Sequence, residues 1–137
     1  VAILVDGSAV LAAADRADLH HAAALAWFGR ADEPLLLGTL TLAELDLVLQ
    51  RELGADAVLA VLRTIAGGAI RLVSPTDADL ARAADLLVAS AEHGPRLADA
   101  LMVAAAERLG VRRIVTFDRR PLAIFQPRHL RTFDLEP

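Results

Sequence analysis

Two kinds of segment alternate along the chain. Short, continuously apolar runs at Ala2 to Val5, Ile70 to Val73 and Arg113 to Phe117 predict strands buried on both faces, and Leu36 to Gly38 reads as a further strand or a loop. Between them, Ala- and Leu-rich stretches at 8–15, 18–30, 41–53, 55–66, 76–92 and 97–109 place apolar residues at helical spacing. The punctuation agrees. Thr41 with Glu44 and Thr76 with Asp79 fit capping boxes, and Gly54, Gly94 and Gly110 stand where glycines stop helices. Strands of continuous apolarity separated by helices imply a parallel sheet covered on both faces. The chain therefore reads as one α/β domain spanning residues 1–137, without repeats or linkers; GGAI at 67–70 and HGPR at 93–96 are single turns.

Ligands of such folds gather beyond the carboxyl ends of the strands. Four acids belong to that end: Asp6 after the first strand, Asp118 after the strand ending in Phe117, and Glu44 and Asp99 in the first turns of their helices. Each has an ordinary structural explanation. Asp6 precedes Gly7 in a turn dipeptide and could cap the helix starting near Ser8. Glu44 completes the capping box of Thr41, Asp99 suits the positive end of a helix, and Asp118 suits a strand-to-loop turn.

Their conjunction suggests more. Glu44 shares a helical line with Leu47 and Val48, whereas Asp46 lies with Gln50 on the wetter side; Asp99 opens a helix apolar on every side until Glu107. Four carboxylates meeting at the sheet's mouth would repel one another and be driven partly protonated, a cost that a divalent cation removes. Oxygen ligands with no Cys in the chain describe a hard ion, Mg²⁺ or Mn²⁺. On that reading the four acids converge closely enough to share an ion at about 2.0–2.6 Å. His20, His21, His93 and His129 read as surface or core residues.

Composition removes the competitors. All 14 basic residues are Arg, so no Lys is present for a phospho-acceptor site of the receiver or haloacid-dehalogenase kind, nor for a Gly-Lys-Ser/Thr nucleotide loop. A glycine-rich dinucleotide fingerprint is also absent. Net charge is −4, which argues against binding nucleic acid through bulk charge, yet the basic residues are unevenly placed. From Arg108 onward seven Arg face three acids; before it, seven face fifteen. The hydrophobic share of 55% and mean hydropathy of +0.46 exceed what so small an interior hides, so some apolar surface is expected to meet a partner. No run reaches the roughly 18 residues of a membrane span, and no secretory leader pattern opens the chain, so a cytoplasmic protein is expected.

The pieces VDGSAVLA, TLTLAELDLVLQRELG, RLADALMVAAAERLG and RRIVTFDRR, with Asp6, Glu44, Asp99 and Asp118, resemble the PIN domain family, specifically the VapC-type toxin ribonucleases of toxin-antitoxin pairs. SPTDADLARAADLL resembles the stretch before the third acid, so the likeness runs along nearly the whole chain. After the fourth acid the family often carries an Asp-Phe pair where this chain has Pro121-Leu122. The resemblance implies a PIN-like, Rossmann-like three-layer sandwich and an endoribonuclease acting on structured RNA with Mg²⁺ or Mn²⁺. It also implies a homodimer and a cognate antitoxin protein that silences it. Asp6, Glu44, Asp99 and Asp118 then hold the metal. Ser8 and Thr116 are candidates to orient carboxylates by hydrogen bonds, and Arg112, Arg113, Arg119 and Arg120 to contact RNA phosphates. Helices 18–30 and 41–66, with Trp27 and Phe28, are candidates for the partner faces. The alternative is a PIN-like module that binds RNA or protein without cutting.

Overall fold

The computed structural model describes residues 1–137. Five short strands, β1 (Ile3–Val5), β2 (Leu35–Gly38), β3 (Ile70–Val73), β4 (Arg113–Val115) and β5 (Asp134–Glu136), form one parallel sheet in the order β3-β2-β1-β4-β5. Seven α-helices cover it: α1 (Gly7–Ala14), α2 (His21–Arg30), α3 (Thr39–Glu52), α4 (Ala55–Ala66), α5 (Asp77–Ala89), α6 (Leu97–Leu109) and α7 (Arg120–Ala123). The central strand explains the layering. Ile3 and Val5 join Val115, Val10, Trp27, Leu45 and Leu49 on one face, while Leu4 joins Ile114, Leu86, Val103 and Met102 on the other. Alternate side chains of a strand point to opposite faces, so a strand apolar at every position needs helices above and below. No helix is long and apolar enough to cross a membrane.

Several boundaries depart from the sequence reading, each for a physical reason. Ile70 to Val73 is not buried on both faces: β3 is an edge strand, and Arg71 and Leu72 are exposed. Leu35–Gly38 is a strand, paired with β1 and β3. β5 and α7 escaped the pattern because the strand is the polar Asp-Leu-Glu and the helix only one turn. Arg113 secures β5 through Glu136 at 2.9 Å, and Arg119 donates to the carbonyls of Leu135 and Pro137 at 3.3 and 3.0 Å. Leu122, in the Pro121-Leu122 pair, is buried in the core beneath α7.

The helix signals divide. The Thr76–Asp79 capping box forms in both directions at 3.1 Å. Thr41–Glu44 does not: α3 begins at Thr39 behind Gly38, which puts Glu44 beyond the first turn and frees its carboxylate. Gly110 stops α6 in the left-handed region (φ 68), where any side chain would be strained. Gly7 takes no such conformation, and a Cβ added there would meet Thr41 Cγ2 at 3.4 Å and Leu45 at 3.6 Å, ordinary contact distances.

Two bidentate pairs tie α5 to α6 and its surroundings. Arg108 Nε lies 3.1 and 3.0 Å from the two carboxylate oxygens of buried Asp79, and Arg82 holds both oxygens of Glu107 at 2.9 Å. They fix the far end of the helix that delivers Asp99.

Candidate active site

All four acids border two adjoining clefts at the carboxyl edge of β1 and β4. Asp6, Glu44 and Asp99 face the first; Asp99 and Asp118 face the second, a space of about 310 Å³ that also takes in His93, Arg96 and Arg120. Asp99 belongs to both.

Asp6 leaves β1 with its N–H donating to the Val115 carbonyl at 3.0 Å, so the neighbouring strand sets its backbone. Its side chain makes no cap to α1. Instead Oδ2 accepts Ser8 Oγ–H at 2.6 Å, and Thr116 Oγ1 stands 2.7 Å away. Ser8 Oγ in turn accepts the Phe117 N–H at 3.0 Å. Thr116 Oγ1 accepts the Asp118 N–H at 3.0 Å and also lies 2.9 Å from the Asp118 carbonyl. Its single proton has three oxygens within reach, Asp6 Oδ2, the Asp118 carbonyl and Ser8 Oγ at 3.2 Å, and the carboxylate is the strongest acceptor of the three. Both hydroxyls anticipated as orienting groups therefore sit on Asp6, and Thr116 couples it to the loop bearing Asp118.

Asp99 is the unusual member. It lies in the first turn of α6, a helix buried without interruption from Ala98 to Ala106, and only 8% of the residue is exposed. Its Oδ2 is buried with no hydrogen-bond partner. Burial, reinforced by the charges of Asp6, Glu44 and Asp118 and opposed by Arg96, pushes its carboxyl up to about 6. Asp118 and Glu44 are more open and each has an arginine: Arg120 Nε is 3.2 Å from Asp118 Oδ1, and Arg96 Nη2 contacts Glu44 Oε2. Leu47, placed beside Glu44 on an apolar side, is exposed; the buried line of α3 is Thr41, Leu45 and Leu49.

The four carboxylates do not converge as tightly as expected. No three acids or histidines in the chain stand as a ready-made cation cage. Two of the four carboxylates are already engaged, Glu44 with Arg96 and Asp118 with Arg120. The donor chemistry nonetheless fits a hard divalent ion, since a buried carboxyl with an unpartnered oxygen, repelled by three neighbouring acids, is relieved by a positive centre. The histidines lie elsewhere in role. His21 and His129 bond backbone carbonyls at 2.8 and 2.7 Å, His20 stacks on Phe117 with centroids 4.8 Å apart, and His93 pairs with Glu92 at 3.4 Å.

The anticipated basic residues separate. Arg112 and Arg113 stand at the opposite end of β4, where Arg113 is engaged by Glu136, Glu33 and Asp32. Arg119 is spent on β5. Arg120 alone of the four borders the acids. Arg96 was missed: HGPR reads as a turn, and only its place three residues before Asp99, at the N-cap of α6, hinted at the site.

A sequence model of the PIN domain matches residues 3–125, a span that includes all four acids. The chain belongs to the PIN domain family. It is 35% identical over 125 residues to Ribonuclease VapC26 of Mycobacterium tuberculosis, covering 91% of this chain and 93% of that protein. Among solved structures it resembles VapC20 of M. tuberculosis, described as a toxin that cleaves the sarcin-ricin loop, with TM-score 0.83 and 23% identity over 94% of this chain and 98% of that one. It also resembles VapBC2 of Rickettsia felis bound to a promoter DNA fragment, with TM-score 0.70 and 12% identity over 99% and 98%. These two likenesses show that the sheet order and helical layers are those of PIN structures.

Proposed function

We propose that this PIN domain is an endoribonuclease, the toxin of a type II toxin-antitoxin pair, hydrolysing RNA phosphodiester bonds with Mg²⁺ or Mn²⁺. The observation that carries the reading is the buried, unpartnered Asp99 Oδ2 surrounded by Asp6, Glu44 and Asp118. Desolvated carboxyls set among like charges in a cleft concentrate at functional sites. The relative at 35% identity, a ribonuclease by name, supports the reaction class.

Asp6, Glu44, Asp99 and Asp118 would hold the ion. Bound there, it supplies Lewis-acid chemistry: activation of water at neutral pH and stabilisation of charge on the phosphoryl oxygens. The chain's own groups do the rest. Ser8 and Thr116 orient the Asp6 carboxylate, and burial pushes the Asp99 carboxyl up to about 6, so that it takes up a proton just below neutrality. Thr116→Val keeps the buried shape but deletes one donor, so cleavage should fall about ten- to a hundredfold while stability changes by about 1 kcal/mol. Initial rates and urea midpoints of the pair check this; equal rates would show that Asp6 needs no such support.

The apolar excess supports a protein partner. An apolar groove of about 520 Å³ runs between α1, α2 and α4 and is lined by Val10, Ala13, Phe28, Ala57, Val61 and neighbours. Trp27 is core, and α4 buries none of its residues in this chain. We assign this side of the molecule to the antitoxin and a second copy of the chain.

The deciding experiment is incubation of purified protein with structured RNA. Cleavage in Mg²⁺ or Mn²⁺, stopped by EDTA, is expected. RNA bound and left intact in both ions would overturn the nuclease reading in favour of a binding module.

A further inference from the structure

Three of the six arginines that meet acids are locked. Arg82 and Arg108 are held by two-point contacts, and Arg113 by three carboxylates. Arg96 differs. Its side chain is 62% exposed, its one side-chain partner is Glu44, and it borders both clefts from the N-cap of α6. Asp99 and Asp6 also lie within its field. From one backbone position the guanidinium can reach either the Glu44 side or the open second cleft.

Charge gives this arrangement a purpose. Four ionised carboxylates with one divalent ion remain doubly negative, which repels an RNA strand; Arg96 and Arg120 are the positive side chains at the clefts able to offset that. A cation taken up by the Glu44 carboxylate competes with the guanidinium for the same negative charge and repels it. We propose that Arg96 is an in-chain counter-ion that Glu44 surrenders on taking up the divalent cation, and that the released guanidinium then grips a phosphate of the RNA in the second cleft. Arg96 is thus a substrate-binding residue whose availability depends on the state of Glu44. The proposal rests on the nuclease reading, and its test separates the two.

Arg96→Gln removes the competitor and the phosphate contact together, so two affinities move in opposite directions. Mn²⁺ binding, followed by calorimetry without RNA, should tighten by about fivefold or more as a competing pair and a nearby positive charge are lost. Binding of a phosphorothioate oligoribonucleotide in Mn²⁺, followed by anisotropy across a salt series, should weaken about three- to tenfold, with a salt slope shallower by about 0.7. Arg96→Lys keeps the charge and should retain the wild-type slope, which also serves should the Gln variant fold poorly. Unchanged or weaker Mn²⁺ binding by Arg96→Gln would overturn the exchange. A wild-type slope in Arg96→Gln, or a Gln-like slope in Arg96→Lys, would overturn the phosphate contact. A wild-type protein that binds Mn²⁺ and leaves unmodified RNA whole sinks the nuclease reading but not the exchange at Glu44; one that binds no Mn²⁺ sinks both.

Discussion

Asp99→Asn lowers RNA cleavage by on the order of a thousandfold and, in EDTA above about pH 7, makes the protein harder to unfold. Both effects have one origin. The carboxyl is pushed from 3.8 to about 6 chiefly by burial, so ionising it in the fold is costly. The folded state binds this proton more tightly than the unfolded chain does. Its favourable contribution is therefore complete below about pH 4 and lost as pH rises through about 6. At neutral pH the ionised group costs about 2–3 kcal/mol by linkage, and Asn avoids much of it. Urea unfolding across pH 4–8 reads the effect directly. The variant's advantage should grow with pH and vanish near the acid end; an advantage independent of pH would mean that Asn merely packs better. Cation uptake by the wild type should weaken below about pH 6, because Asp99 must first lose its proton.

Arg108→Ala gives the largest expected loss of stability, about 2–3 kcal/mol. Asp79 is 3% exposed, and its carboxylate is shared between the Thr76 cap and both contacts from Arg108 Nε. Removing Arg108 leaves a buried charge with too few partners, an effect reduced because Arg108 itself is partly open to solvent. Arg108 and Thr76 outweigh burial and hold Asp79 below the usual carboxylate range. That contribution is present above pH 3.8 and disappears as pH falls through the folded value, so the variant should approach the wild type in strong acid. Asp99 lies nine residues away on α6, about 14 Å along the axis. Cleavage at low temperature should therefore remain near wild type. A change under about 0.5 kcal/mol would show that the pair only balances its own desolvation.

The two acids show why parts of the molecule are legible in the sequence and others are not. Asp79 fits a local rule, Thr followed three residues later by an acid, and that box forms. Glu44 fits the same rule and does not cap, because Gly38 and Thr39 continue directly from β2 into α3 and start the helix two residues early. A three-residue pattern has no access to where a parallel strand releases its chain. β5 was invisible for a related reason. Asp-Leu-Glu has no strand signal of its own and is fixed by the ladder to β4 and by Arg113 and Arg119.

The sequence by itself determined the alternation of buried strands and helices, hence the layered parallel sheet, because a run apolar at every position has no solvent face to offer. It also determined that no Lys or Cys takes part in any chemistry of this chain, since it contains neither. Only the tertiary structure decided which charges meet. It set Thr116 and Ser8 on Asp6, left Asp99 Oδ2 without a partner, sent Arg113 to the far end of β4 and brought Arg96 onto Glu44 across 52 residues of chain. Side-chain pairing depends on distances in space, and periodicity along one strand or helix carries no information about them.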